Sequence, residues 1–479
     1  TRYEKRSLYV MYDVTSALKS GKNAIGIILG NGWYNSAAKD AWDFDKAPWR
    51  NTPRLIFQMH IEYTDGSTEV IKSDESWKTS TGPIVFDGIR NGETYDARLD
   101  KQGWDTADYN DSDWQTAKIT NGPATKLESQ KTLINKVIEV RTPINVTEPK
   151  PGVFVFDIGQ NISGRVKLSV SGPAGTVITI KYDERIHEDG SLNQQNASLV
   201  YSLGFQTDKY ILKGNGVETW EPKFVYHGFQ YIQVEGFPGK PGVENIKASV
   251  IHTAFESSGT FECSNDLINK IQQATRWAYL GNFATGYPTD CPHREKNGWT
   301  GDAHIGAETG IYNFNPQSNY TKWIYDFEDV MADNGDLTGI VPSGGWGYGV
   351  GPAWDSAYIL IPWYMYLYNG DKRILADHYE GFKRLVDFQV NRSEDHIVNY
   401  GLGDWCPPEG GADGYKTPNS LTSTAYHYTD VKILSEIAHI IGKSDDEKKY
   451  LELAEEIKNA FNNKFYNSET GTYTGEEQV

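Results

Sequence analysis

Between Tyr287 and Phe314 the chain places Asp290, Arg294, Glu295, Trp299 and Asp302 within thirteen residues. Carboxylates hydrogen-bond sugar hydroxyls, an indole covers the apolar face of a pyranose, and a guanidinium holds a neighbouring carboxylate in place or shifts its pKa. A pair of Asp or Glu side chains is also what glycoside hydrolysis needs: one donates a proton to the leaving oxygen and the other activates water or attacks directly. Pro288, Pro292, Gly298 and Gly301 forbid a continuous helix, so these side chains are predicted on a loop that can aim them at a ligand. A solvated acidic loop is the competing reading, since acidic side chains are mostly exposed. The interleaved Cys291, Trp299 and two prolines argue against it.

Two kinds of element must position this loop. From residue 1 to about 255 the pattern is strand-like, with short alternating runs at 54–63, 152–157, 166–170, 177–182 and 231–234 separated by Gly, Pro and Asp turns. Such spacing predicts β-sandwiches, and the break at Asn121 to Lys131 divides the region in two. After about 256 the period changes. Leu267, Ile271, Ala274 and Ala278 form one helix face behind Ser264 as the expected N-cap. Further helices are predicted at 302–312, 318–333, 355–369, 372–390, 424–441 and 445–464, the last opening on the capping box Ser444 and Glu447. The loops between them place Trp346, Trp354, Asp355, Trp363, Asp404, Trp405 and Glu409 at or near helix ends. Each tryptophan taken singly also reads as core. Repeated helix pairs with Trp-plus-acid loops predict a toroidal helical barrel with its ligand site at one end.

Composition narrows the partners. With 479 residues the chain has room for about three domains, and its 38% hydrophobic content supports ordinary cores. Sixty-four acidic against 46 basic residues give a net charge of −18, which excludes nucleic acid and anionic membrane surfaces as natural partners and favours a neutral ligand. No run approaches the roughly 18 apolar residues of a membrane span. Cys263, Cys291 and Cys406 are too few and too scattered for a disulfide framework or a CxxC metal site, and Cys291 is expected under the acidic loop. Asp111 to Asp113 reads as a turn rather than a calcium loop, and His293 and His304 lack zinc-site spacing, so no metal or other cofactor is expected.

The segment Asp290, Cys291, Pro292, Arg294, Glu295, Gly298, Trp299, Thr300, Gly301, Asp302 resembles the acidic signature of the bacterial α-L-rhamnosidases of glycoside hydrolase family 78. Asn31 to Tyr34, Gly92 to Arg98, Trp104 and Trp114 resemble that family's N-terminal sandwich. Phe156 to Asn161, Gly164, Tyr182 to Glu184 and Asp189-Gly190 resemble its second sandwich. The resemblance implies two β-sandwich domains over residues 1–125 and 126–255, followed by an (α/α)6 barrel over 256–479. It further implies removal of terminal α-L-rhamnose from rhamnose-containing glycosides or polysaccharides, with inversion. Glu295 matches the general acid, Asp290 and Asp302 match sugar-binding carboxylates, and Arg294 and Trp299 match residues lining the same pocket. Trp354, Trp363, Asp404 and Trp405 are carried as further sugar contacts.

One departure matters. The family's general base lies on a later loop, and this chain ends at Val479 after about seven predicted helices. The base is therefore expected outside the chain, although Asp355, Asp404 and Glu409 have suitable chemistry. The barrel is expected to be incomplete, its missing segment supplied by the rest of the protein, with apolar faces such as Tyr450 to Phe461 left open. A carbohydrate-binding protein of the same fold without the chemistry, and a helical-barrel glycosidase for another sugar, are the alternatives.

Overall fold

The computed structural model describes residues 2–122, 125–195, 202–407 and 417–473. Alternating apolar and polar residues build the strands of the N-terminal half: β1 (Arg6–Tyr9), β2 (Gln58–Glu62), β3 (Thr68–Lys72), β4 (Lys78–Thr79), β5 (Ile84–Gly88), β6 (Gly92–Asp96), β7 (Gln115–Thr116) and β8 (Lys126–Ser129). They are followed by β9 (Asn135–Arg141), β10 (Asn145–Lys150), β11 (Val153–Ser171), β12 (Val177–Asp183), β13 (Thr207–Ile211), β14 (Val217–Trp220), β15 (His227–Glu235) and β16 (Ile246–Thr253). Strands β1 and β8, β2 and β3, and β4 and β7 form separate two-stranded pieces. A Thr64-Asp65-Gly66-Ser67 turn closes the β2–β3 hairpin, and Asp65 Oδ1 accepts from Ser67 N at 2.9 Å.

The remaining strands form one ten-stranded sheet in the order β5-β6-β13-β12-β15-β11-β16-β9, with β10 and β14 also paired to β11. This sheet crosses residue 125, because β5 and β6 join it through the parallel β6–β13 pair. The two runs read at 152–157 and 166–170 are one 19-residue strand, β11, whose register against β15 shifts between Asp157 and Ile162. The shift bends the strand, so its first part pairs with β10 and its last part with β16 and β14. Phe154, Phe156, Ile162, Val166, Leu168, Ile178, Ile180, Phe229 and Ile232 alternate into a single buried core.

The C-terminal half is helical: α1 (Asp266–Gly281), α2 (Thr300–Asn313), α3 (Gln317–Val330), α4 (Pro352–Asp355), α5 (Ala357–Asn369), α6 (Lys372–Asp377), α7 (Tyr379–Asn391), α8 (Asn419–Ile440) and α9 (Ser444–Phe465). Two helices expected as continuous are each broken, at Ser356 and at His378. Asn265 rather than Ser264 caps α1, its side chain accepting from Leu267 N at 3.0 Å. The expected capping box on α9 is not formed. Ser444 is already helical, and Glu447 Oε1 lies 3.1 Å from His439 Nδ1. Trp363 lies in the middle of α5 rather than at a helix end, because the helix runs on through Pro362.

The exposed apolar face is not where the sequence put it. Helix α9 turns back onto α8 after three residues and buries Tyr450, Ala454 and Ile457. Helix α1 instead carries the open face, with Leu267, Ile268 and Ile271 exposed. Among the described residues, no helix is long and apolar enough to cross a membrane. Helices α5, α7 and α8 also enclose a polar cluster. Ser356 Oγ and Gln389 Nε2 both donate to Asp430 Oδ2 at 2.8 Å, and Gln389 Oε1 meets His427 Nδ1 at 2.7 Å. Burial raises the Asp430 carboxyl to about 7.

Two measurements test this packing. Ile457→Ala should lower unfolding stability by about 2–5 kcal/mol, whereas Ile271→Ala should change it by less than about 1 kcal/mol, as read by urea titration. Equal losses would contradict the assignment of buried and open faces. Asp430 keeps its proton in the folded state while the unfolded chain loses it near the ordinary value of 3.8, so its effect is a fall in stability from about pH 4 to about pH 7 and no further change above. Asp430→Asn retains the acceptor and should flatten that slope in melting curves taken across the range. Parallel slopes in the two proteins would rule out Asp430 as a source.

Candidate active site

The acidic loop folds around a clasp. Asp290 N donates to Asn297 O and Asn297 N donates to Asp290 Oδ1, both at 3.1 Å, so the segment between them forms a closed turn. Lys296 completes it in the left-handed region, at φ 56°. Gly298 is required at the exit, since a Cβ there would sit 2.1 Å from the carbonyl oxygen of Val341, to which this stretch is paired. Trp299 is the N-cap of α2, and Asp302 lies in the first turn, where the helix dipole favours a carboxylate.

Glu295 is held on both carboxylate oxygens. Arg294 Nη2 donates to Oε1 at 2.5 Å and Trp299 Nε1 donates to Oε2 at 2.7 Å. The direction of Arg294, which the sequence left open, is thus toward Glu295. Trp299 spends its indole N–H on the same group and meets Trp346 edge-on at 5.9 Å. Cys291 lies inside the turn and donates to Asp290 Oδ2 at 2.9 Å. Burial, then the adjacent charge of Asp290, raises its thiol. Burial and then the charge of Glu295 push the Asp290 carboxyl well up. Asp302 opens to solvent, yet the protein around it, followed among charges by Glu295, raises its carboxyl as well. Asp290 and Asp302, both raised, thus share one site with Glu295.

Trp354 joins this group. It packs on Gly301, where a Cβ would meet the indole at 2.8 Å, and its Nε1 is buried without a hydrogen-bond partner. Asp290, Arg294, Glu295, Trp299, Asp302 and Trp354 are thus brought together. Trp363 is half-buried against the helical core, and Asp404 and Trp405 lie on a loop before α8, with Trp405 48% exposed. Among the described residues these three share no hydrogen bond or ring contact with the acidic loop. Asp355 is sealed in the helical core with neither carboxylate oxygen hydrogen-bonded. Burial, then Asp336 and Asp430, raises it strongly. A group that must take a proton from a solvent water does not sit there. Glu409 lies outside the described residues.

The sequence reading missed the residues that support the loop from behind. Arg90, between β5 and β6, donates to Glu295 O at 2.9 Å, Asn297 Oδ1 at 2.7 Å and Asp40 Oδ2 at 2.7 Å. It is caged by Trp33, Trp42 and Phe44, with ring centroids 4.7–5.2 Å from its Cζ. Lys296 is fully buried and donates to Ile89 O at 2.8 Å and Tyr226 O at 2.5 Å. Burial, with the Arg90 charge second, lowers its ammonium to about 7. No motif in the loop signals an arginine so distant in the chain. Among the described residues, no group of three or more His, Cys, Asp or Glu is arranged for a metal ion. His304 instead meets the Ala353 carbonyl at 2.8 Å, and His293 lies 3.6 Å from Glu184.

Comparison with known proteins places this geometry. Residues 1–139 match the α-L-rhamnosidase N-terminal domain, 147–252 the bacterial α-L-rhamnosidase concanavalin-like domain, and 256–479 the bacterial α-L-rhamnosidase 6 hairpin glycosidase domain. An α-L-rhamnosidase of Formosa agariphila is 36% identical over 97% of this chain and 51% of its own length. The solved α-L-rhamnosidase of Dictyoglumus thermophilum superposes with a TM-score of 0.91 at 44% identity, over 98% of this chain and 51% of that one. The Streptomyces avermitilis α-L-rhamnosidase complexed with L-rhamnose gives 0.90 at 33% identity, over 99% and 45%. The chain spans about half the length of the curated relatives it matches. Its β-rich N-terminal part, its helical C-terminal part and these matches along nearly all of its length lead to one assignment: the chain belongs to the bacterial α-L-rhamnosidases of glycoside hydrolase family 78.

Proposed function

We propose that this chain carries the acid half of an inverting hydrolysis of terminal α-L-rhamnosides, with Glu295 as the general acid. One observation carries the reading: the Glu295 carboxylate is fixed between Arg294 and Trp299 within a cluster that also holds Asp290 and Asp302. The rhamnose complex of the Streptomyces avermitilis relative supports the sugar class. In this reading Glu295 protonates the glycosidic oxygen as C1 becomes oxocarbenium-like, and a carboxylate beyond the described residues deprotonates water on the opposite face. Asp290 and Asp302 grip sugar hydroxyls, Trp354 offers an apolar wall, and Asp404 with the exposed Trp405 extends the contact from the loop before α8. Trp363 belongs with the helical core. The strand-rich part is read as two sandwich domains whose division near residue 125 is bridged by β5 and β6, and residues from about 256 onward as part of an (α/α)6 barrel.

Two tests follow from these roles. In the full-length protein, Glu295→Gln should lower kcat by about 10²–10⁴ on an alkyl α-L-rhamnoside, and by less on an aryl rhamnoside whose leaving group departs without a proton. A wild-type rate on the alkyl substrate would sink the acid assignment. Asp302→Ala should weaken L-rhamnose binding about tenfold by calorimetry, corresponding to about 1.4 kcal/mol of lost hydrogen bonding. Unchanged affinity would remove Asp302 from the sugar site. Saturable rhamnose binding without turnover of any rhamnoside would favour a binding protein of the same fold.

A further inference from the structure

The loop bearing Glu295 and the turn between β5 and β6 exchange buried cations. Arg90 reaches from the strands into the loop, and Lys296 reaches from the loop back to the strands. The atoms involved are adjacent in both partners: Lys296 Nζ is bound by the carbonyl of Ile89, and Arg90 Nε binds the carbonyl of Glu295. A buried guanidinium needs several acceptors at fixed angles, and its planar fork sets the angle between them. Here the fork spans the Glu295 main chain, the Asn297 amide and Asp40. Asp40 is itself fixed, its Oδ1 accepting from Trp42 N at 2.8 Å and Phe44 N at 3.3 Å. Asn297 is the residue whose main chain closes the clasp with Asp290. One side chain therefore sets the position of both Glu295 and Asp290 relative to the strand-rich half.

We propose that Arg90 is a positioning residue for the hydrolytic reaction, holding the Glu295 main chain so that its carboxylate stays where Arg294 and Trp299 meet it. The strand-rich half is in consequence a working part of the active site and not an appended binding module. Lys296 performs the reciprocal task. Its left-handed backbone directs the chain back toward Asp290, and its two carbonyl acceptors and the ring of Tyr226, 4.4 Å from Nζ, hold that conformation. A lysine at position 90 would keep a charge inside the aromatic cage but could not span three acceptors in one plane.

This inference rests on Glu295 being the acid, and its test separates the two claims. In the full-length protein, Arg90→Lys should lower kcat about 10- to 100-fold on an alkyl α-L-rhamnoside with KM changed by less than about threefold. On an activated aryl rhamnoside, which needs little proton donation, the loss should be less than about threefold. The double variant with Glu295→Gln should be no slower than Glu295→Gln alone, because a misplaced acid and an absent one are the same defect. A wild-type kcat, an equal loss on both substrates, or losses that multiply in the double variant would overturn the proposal. A Glu295→Gln protein at wild-type rate would instead overturn the acid assignment, whatever Arg90→Lys does. If Arg90→Lys gives no cooperative thermal transition, Asn297→Ser carries the same comparison by removing one arm of the fork. It should show the same dependence on leaving group, and no loss or an equal loss would overturn the proposal.

Discussion

The exchange of Arg90 and Lys296 between the β5–β6 turn and the acidic loop is the constraint on which the rest of the site depends. Two buried cations placed side by side repel one another, and each is tolerable only while its acceptors stay in place. Glu295, Asn297, Asp40, Ile89 and Tyr226 supply those acceptors from two halves of the chain. Moving the loop would take both carbonyls from Lys296 and two of its three acceptors from Arg90. A loop of prolines, glycines and carboxylates has little apolar surface with which to hold itself, and buried charge gives it a single position.

The same economy explains the crowding of carboxylates. Asp290 and Asp302 are both pushed toward protonation, Asp290 chiefly by burial with Glu295 as the nearest charge. Arg294 is the loop's own compensating charge, paired with Glu295 at the surface of the site while Arg90 works beneath it. The helical core repeats the theme without a cation hydrogen-bonded to either carboxylate. Asp430 receives two neutral donors and Asp355 receives none; burial raises both, and the charges of Asp336 and Asp430 raise Asp355 further. Sites that hold carboxylates away from water are poised for acid chemistry only where a ligand can reach them, and the opening at Asp302 distinguishes the acidic loop from the Asp355 cluster.

Much of this was legible from sequence because it is local. The acidic loop announced itself by composition, and helix α1 by its apolar period. The misreadings were of short range or of very long range. Asn265 and Ser264 are nearly equivalent as caps, and only the built helix chooses between them. Strand β11 read as two runs because its register shift interrupts the alternation. The exposed face fell on α1 instead of α9 because α8 lies against Tyr450 and Ile457, and periodicity names an apolar face without naming its partner. Arg90 was invisible for a similar reason. It lies 205 residues before Glu295, in a stretch whose local pattern says only that a strand ends and another begins.

The central claim is that the acid's loop is held in place from the strand-rich half. Amide hydrogen exchange over residues 290–299 tests it most directly, comparing the wild-type protein with Arg90→Lys under conditions where both are folded. Strong protection of the Asn297 and Asp290 amides in the wild type, lost in the variant while α8 and α9 exchange at unchanged rates, is the expected result. Equal protection of the loop in both proteins would contradict the claim and leave the clasp between Asp290 and Asn297 sufficient by itself.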